Sequence, residues 1–267
     1  ATYSKMHHAL IDGVTGARMA ANAMSPDAAD TKAPMWALPF GQHPTSRAKS
    51  APPSWLEQLG NAAKAGKDIL PGIGSGLWDI VRPSDDETVG ALPFQAPPTP
   101  FNVEISGSRR FASQSYSLAR FKKIGEAAGA TVNDVTLAIC GGALREYLLA
   151  QHKLPKKPLV AMVPVSLHGE TTAGGNQVSL LLANLATHVA DPLKRLQRIV
   201  ESTTHAKDRL TKMPRLQKMA HGITSISPLG VGIVTGTAEK HPLFNLVISN
   251  VPGPRDTLYL NGARLDE

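Results

Sequence analysis

The sequence predicts an α/β fold, and three observations lead there. The apolar stretches PLVAMVPVSL (158–167) and QVSLLLANLATHV (177–189) read as strands. From Thr131 to about Gln151 a helix is expected, with Leu137, Leu144, Tyr147 and Leu148 facing inward. Asp191 stands where a helix cap belongs, ahead of a long helical pattern that runs to about Lys212.

The remaining elements follow in chain order. From Gly13 to about Ala23 the sequence VTGARMAANA reads as a helix, and Ser25-Pro26 stops it because proline removes a backbone donor and clashes with the preceding turn. Residues 26–54 are rich in Pro, Ser and Ala without a period, which marks a long surface connection. The segment 55–81 pairs Trp55, Leu56, Leu59 and Ala63 at helical spacing, breaks at Pro71-Gly72 and resumes at Leu77-Trp78. Five prolines between 82 and 100 make a linker. Residues 110–117 alternate like a strand, Leu118, Phe121, Ile124 and Ala128 recur like one helix face, and 243–249 reads as a further strand. The domain boundaries expected are therefore 1–25, 26–100 and 101–267. Neither end has the look of a natural terminus: a strand in progress leads straight into His7, and Leu258-Tyr259-Leu260 with the turn Asn261-Gly262 runs on to Glu267. A segment of a longer polypeptide is expected.

Composition narrows the class of function. Apolar residues make up 42% of the 267 and charged residues 18%, so a sizeable core can form. Twenty-eight Lys and Arg against 21 Asp and Glu leave a net charge of +7, which favours phosphate-bearing ligands, anionic membrane surfaces or nucleic acid. Nucleic acid is the least expected of these, because the basic residues lack interleaved aromatics and no recognition motif is present. The single cysteine, Cys140, excludes an intramolecular disulfide framework and a CxxC metal site. No apolar run reaches the roughly 18–20 residues needed to span a bilayer, so a soluble, cytoplasmic protein is expected.

The richest chemistry sits at His7-His8-Ala9-Leu10-Ile11-Asp12-Gly13, at a strand-to-helix junction. No GxSxG supplies an activated serine, and HExxH is missing while the other histidines are scattered. What fits is a general base: a neutral imidazole with pKa near 6.5 can take a proton from a hydroxyl at neutral pH. Asp12 can fix the turn by pairing with a basic side chain, and Gly13 lets a ligand approach the backbone. A histidine pair with a purely structural role at a strand end is the competing reading.

HHALIDG resembles the HHxxxDG motif of the CoA-dependent acyltransferase superfamily. Four further strings narrow the resemblance. Pro34-Met35-Trp36 is similar to a PLW motif, with Met for Leu a change of similar volume, and Asn133–Ala138 to NDVxLA. Gly175–Ser179 is similar to GNQVS, and Ser249-Asn250-Val251-Pro252-Gly253-Pro254 to SNVPGP. Together they resemble the bacterial wax ester synthase/diacylglycerol acyltransferase family, in family order over nearly the whole chain. Family members are considerably longer at both ends, in keeping with the expected segment.

That resemblance implies a chloramphenicol acetyltransferase-like fold of two related subdomains with the active site between them. It implies transfer of a long-chain acyl group from acyl-CoA to a fatty alcohol or diacylglycerol, with no cofactor beyond the acyl-CoA substrate. His8 would be the general base, with His7 packed or hydrogen-bonded beside it and Asp12 holding the turn. Asn133 would orient the site or donate to the oxyanion. Its neighbour Asp134 is explained by capping alone, since Thr131-x-x-Asp134 is a capping-box-like start. Ser249, Asn250 and Gly253 would lie near the acyl-CoA, on a turn stiffened by two prolines that equally suits an architectural role. Trp36 would be a substrate contact or a packed aromatic.

Weaker signals remain. Gly72-Ile73-Gly74-Ser75-Gly76 lacks the preceding strand and following helix of a dinucleotide loop. Arg109-Arg110 could meet CoA phosphates or simply face solvent. Residues 55–81, with Trp55 and Trp78 near the ends and Lys64 and Lys67 between, could lie on a membrane or lipid-inclusion surface, or pack on their own domain. The expected partners are acyl-CoA, the acceptor alcohol, possible lipid surfaces and the remainder of the polypeptide. The alternatives are a non-catalytic lipid-binding protein and a condensation-type HHxxxDG enzyme.

Overall fold

The computed structural model describes residues 13–34, 37, 74, 95–104, 106–166, 178–211, 240, 242–251, 253–254 and 256–265. The chain divides into two compact units: 1–58 with 166–178 and 250–267, and 59–165 with 179–249. This partition interleaves the chain, whereas the boundaries drawn from sequence follow chain order.

The larger unit is a mixed α/β layer. Its helices are α2 (Leu118–Ala128), α3 (Val132–Ala150) and α4 (Pro192–Thr211), and its strands are β1 (Val160–Ser166), β2 (Val178–Asn184) and β3 (Leu246–Val247). The strand order is β2-β1-β3. β1 and β3 run parallel with Ala161 opposite Leu246 and Met162 opposite Val247. The pairing extends past both ends of β3, where Asn245 N–H donates to Val160 O at 2.8 Å and Ile248 N–H to Met162 O at 3.1 Å.

One core joins helices and sheet. Leu137 and Leu148 of α3, Leu159, Ala161 and Val163 on β1 and its lead-in, Leu181, Ala183 and Leu185 from β2 onward, and Ile199 of α4 form it. On α3 the buried positions Asp134, Leu137, Gly141 and Leu148 repeat at three, four and seven residues, one face of a helix. α3 reaches the sheet closely because Gly141 carries no side chain: a Cβ there would stand 2.7 Å from Leu185 O. β2 stops where Ala186 takes φ 46°, so the strand predicted over 177–189 is shorter at its far end. The following turn is held by two arginines. Arg145 donates to Thr187 O at 2.7 Å and His188 O at 3.1 Å, and Arg195 to Val189 O at 2.9 Å. Burial, then the neighbouring Arg145 charge, pulls the Arg195 guanidinium below its usual pKa.

A buried amide ties the chain before α2 to this sheet. Asn245 Oδ1 accepts from Val160 N–H at 2.8 Å, while its Nδ2 donates to Pro97 O at 2.7 Å and Asn102 Oδ1 at 2.8 Å. Asn102 in turn donates to Phe244 O at 3.1 Å.

Several expectations change. Residues 110–117 form no strand: they are exposed throughout, and among the described residues no neighbouring strand takes up their backbone groups. The predicted α2 face is largely exposed, with Leu118 and Ile124 on the surface and Gly125 the buried position. Tyr147 faces outward and stacks on Phe101, with ring centroids 5.8 Å apart, rather than entering the core. The segment 55–81 lies outside the described residues apart from Gly74. No described helix is by itself long and apolar enough to cross a membrane.

The smaller unit holds α1 (Gly13–Asn22) and the hairpin of β4 (Tyr259–Leu260) and β5 (Ala263–Arg264). The hairpin turns on Asn261 and Gly262, with φ 47° and 86°, the two positive values that an Asn-Gly hairpin loop supplies at least cost. Ser25 and Tyr259 exchange backbone hydrogen bonds of 2.9 and 2.7 Å, which fasten the end of α1 to β4.

Candidate active site

Gly13 is the first residue of α1, and the helix axis therefore begins where the HHxxxDG string ends. A Cβ on Gly13 would stand 3.4 Å from Val251 Cγ2, so the backbone here lies against Val251 of the SNVPGP string. Gly13, the last residue of the HHxxxDG string, and Val251 of the SNVPGP string are thus neighbours within the smaller unit. The far side of the same connection is fixed as well, by the Ser25–Tyr259 bridge and by Lys32 N–H donating to Asn261 Oδ1 at 3.3 Å. His7, His8, Asp12 and Trp36 lie outside the described residues.

Ser249 and Asn250 are exposed, so the hydroxyl and the carboxamide are accessible to a ligand. Gly253 is exposed too, and a Cβ there would meet nothing within 4 Å, so packing does not demand glycine at that position.

Asn133 occupies the second position of α3, in the larger unit. It is half-buried, and among the described residues its carboxamide has no hydrogen-bond partner. The next residue is fully engaged. Thr131 Oγ1 accepts from Asp134 N–H at 3.2 Å, and Asp134 Oδ2 accepts from Thr131 N–H at 2.9 Å, which completes a capping box. Asp134 Oδ1 then accepts from Thr203 Oγ1 at 2.7 Å, with Lys207 Nζ at 3.7 Å. The capping expected for Asp134 is present, and the carboxylate does more than cap: it joins α3 to α4.

Thr203 and Lys207 were not among the residues singled out from sequence. They stand four apart on α4 and so share a face. That spacing is visible in the sequence; which face meets Asp134 is not. Arg109 donates to Ser106 O at 2.6 Å and Ser108 O at 2.7 Å, carbonyls of its own loop, and both Arg109 and Arg110 are exposed. Of the GNQVS string, Gly175–Gln177 lie outside the described residues, and Val178 and Ser179 begin β2.

Comparison with known proteins agrees with the motif pattern. Residues 1–136 match the model of the wax ester synthase/diacylglycerol acyltransferase catalytic domain, and residues 174–267 match the WS/DGAT C-terminal domain. The chain belongs to the wax ester synthase/diacylglycerol acyltransferase family. It is 39% identical over 272 residues to "O-acyltransferase WSD" of Acinetobacter baylyi, covering 100% of this chain and 58% of the relative. It is 45% identical over 271 residues to the Mycobacterium tuberculosis protein named "Probable diacyglycerol O-acyltransferase tgs2", again over 100% of this chain and 58% of the relative. A solved wax ester synthase/diacylglycerol acyltransferase from Marinobacter aquaeolei superposes with a TM-score of 0.64 at 33% identity, over 98% of this chain and 53% of that one. The chain therefore spans a little over half the length of these relatives.

Proposed function

We propose that this chain carries the base-bearing motif and much of the C-terminal part of an acyl-CoA-dependent O-acyltransferase, within a chloramphenicol acetyltransferase-like fold of two related subdomains. The substrates are a long-chain acyl-CoA and a fatty alcohol or diacylglycerol, and the product is a wax ester or triacylglycerol. The observation that carries the reading is the contact of Gly13 with Val251, which brings the end of HHxxxDG against SNVPGP. The names of the related proteins support the reaction class.

The chemistry follows from the residue types. His8 accepts the proton of the acceptor hydroxyl, a step worth about 10²–10⁴-fold. The oxygen attacks the thioester carbonyl, and donors such as the Asn133 carboxamide meet the developing oxyanion. The tetrahedral intermediate collapses with loss of CoA thiolate, a good leaving group, which takes up the proton that the imidazolium received from the acceptor hydroxyl. The acyl group passes directly within a ternary complex. In this reading His7 and Asp12 support the base, and Trp36, Ser249, Asn250 and Gly253 contribute to substrate binding. The enzyme is cytoplasmic in this reading, and a water-insoluble acceptor favours work at membrane or lipid-inclusion surfaces.

The test is release of CoA from palmitoyl-CoA by the complete polypeptide, with hexadecanol, with dioleoylglycerol, or with neither. Release that depends on an acceptor, with the ester recovered as product, is expected. Binding of palmitoyl-CoA without turnover on either acceptor would contradict the reading and favour a lipid-binding protein.

A further inference from the structure

We propose that Thr203 and Lys207 of α4 are positioning residues for Asn133, acting through Asp134. The inference rests on the reading that Asn133 works in acyl transfer. A capping box needs only Thr131 and Asp134. Here one carboxylate oxygen serves that box, and the other is given to α4: Thr203 Oγ1 donates to it at 2.7 Å, with Lys207 Nζ at 3.7 Å. The Thr203 hydroxyl has a local alternative, Val200 O at 3.3 Å one turn back, yet its shorter contact is the long-range one.

Both ends of the contact are enclosed. Asp134 is 3% exposed and Thr203 is fully buried, so water does not compete for either. α4 is itself anchored one residue earlier, where Ser202 Oγ accepts from Asn184 N–H at 3.1 Å at the end of β2. The result is a continuous path from the sheet through α4 to the first turn of α3. First turns of helices fray, because their leading N–H groups lack intrahelical partners. Asn133 sits within this turn, immediately before Asp134, with a carboxamide that no described residue restrains. Holding Asp134 therefore sets where that carboxamide is presented. A displacement of about 1 Å can cost on the order of 100-fold in rate.

The experiment is a double-mutant cycle in the complete polypeptide, with kcat and KM for palmitoyl-CoA measured at saturating hexadecanol. Thr203→Val is expected to lower kcat roughly 10-fold or more with KM changed less than about twofold. Thr203→Ser, which keeps the hydroxyl, restores kcat. Adding Thr203→Val to Asn133→Ala produces little further loss, because the carboxamide it positions is already gone. Should Thr203→Val not fold, the same cycle is run with Lys207→Met, whose smaller loss of kcat vanishes likewise in the Asn133→Ala background. Full kcat in a folded Thr203→Val protein, beside an impaired Asn133→Ala, overturns the positioning role alone. So do losses that simply multiply. An Asn133→Ala protein with unaltered kcat overturns the underlying reading of Asn133, and the positioning role with it.

Discussion

Gly13 and Val251 lie within van der Waals reach: a methyl on Gly13 would stand 3.4 Å from Val251 Cγ2. One residue ends the histidine motif and begins α1; the other lies in the SNVPGP string. Gly13→Ala is expected to fold normally, since 3.4 Å is an ordinary contact. Gly13→Val adds a stiff, branched side chain there and displaces Val251. Under the proposed function, acyl transfer by the complete polypeptide carrying that variant should fall at least about 10-fold with the far-UV circular dichroism unchanged, and adding Val251→Ala should return part of it. Full activity in Gly13→Val would show that the contact is incidental.

Gly141 offers a test of the core. An added Cβ would meet Leu185 O at 2.7 Å, a backbone atom fixed in the sheet layer, so the helix must shift. Overpacking of this kind costs about 1–3 kcal/mol, against roughly 1 kcal/mol gained from the better helix propensity of alanine. Urea denaturation should find Gly141→Ala less stable than the wild type. Gly142→Ala, which would meet Arg195 Nη2 at 3.1 Å rather than backbone, should be the milder of the two.

The Asn245 side chain satisfies Val160, Pro97 and Asn102 at once while 5% exposed. Asn245→Leu strands those groups in a buried place, and a loss of about 1–3 kcal/mol is expected for an orphaned buried polar group. Asn245→Asp should be no better, because it replaces the donor to Pro97 O and Asn102 Oδ1 with an acceptor. Hydrogen exchange should rise first at the Val160 amide.

Burial raises the Cys140 thiol above its ordinary pKa. The folded chain keeps this proton where the unfolded chain releases it, so the contribution to stability is complete below about pH 8.5. It is lost as pH rises through the higher folded value. Iodoacetamide should therefore label Cys140 slowly at pH 7.5 in the native state and rapidly in urea. The alkaline fall in the denaturation midpoint should be shallower in Cys140→Ala; an identical fall would assign it to other groups.

Local signals made much of this fold legible. The capping pair Thr131 and Asp134, the cap at Asp191 and the stop at Ser25-Pro26 bound three helices close to their observed ends, because caps and breakers act over a few residues. Asn261-Gly262 likewise announces its own turn. What stayed hidden depends on partners far away in the chain. Residues 110–117 have a strand's alternation, but a ladder needs a neighbour, and none stands beside them among the described residues. Tyr147 fits the inward period of α3 and yet finds Phe101 at the surface. At the site, the motif residues were legible as residue types. That Asp134 serves Thr203 as well as Thr131 was not, since spacing along one helix does not reveal which side chain of another helix it meets.

The most direct measurement is acceptor-dependent CoA release from palmitoyl-CoA by the complete polypeptide, wild type beside His8→Ala. The account predicts hexadecanol-dependent release in the wild type and a loss of about 10²–10⁴-fold in a variant that remains folded. Near-normal turnover by His8→Ala would contradict the assignment of the base.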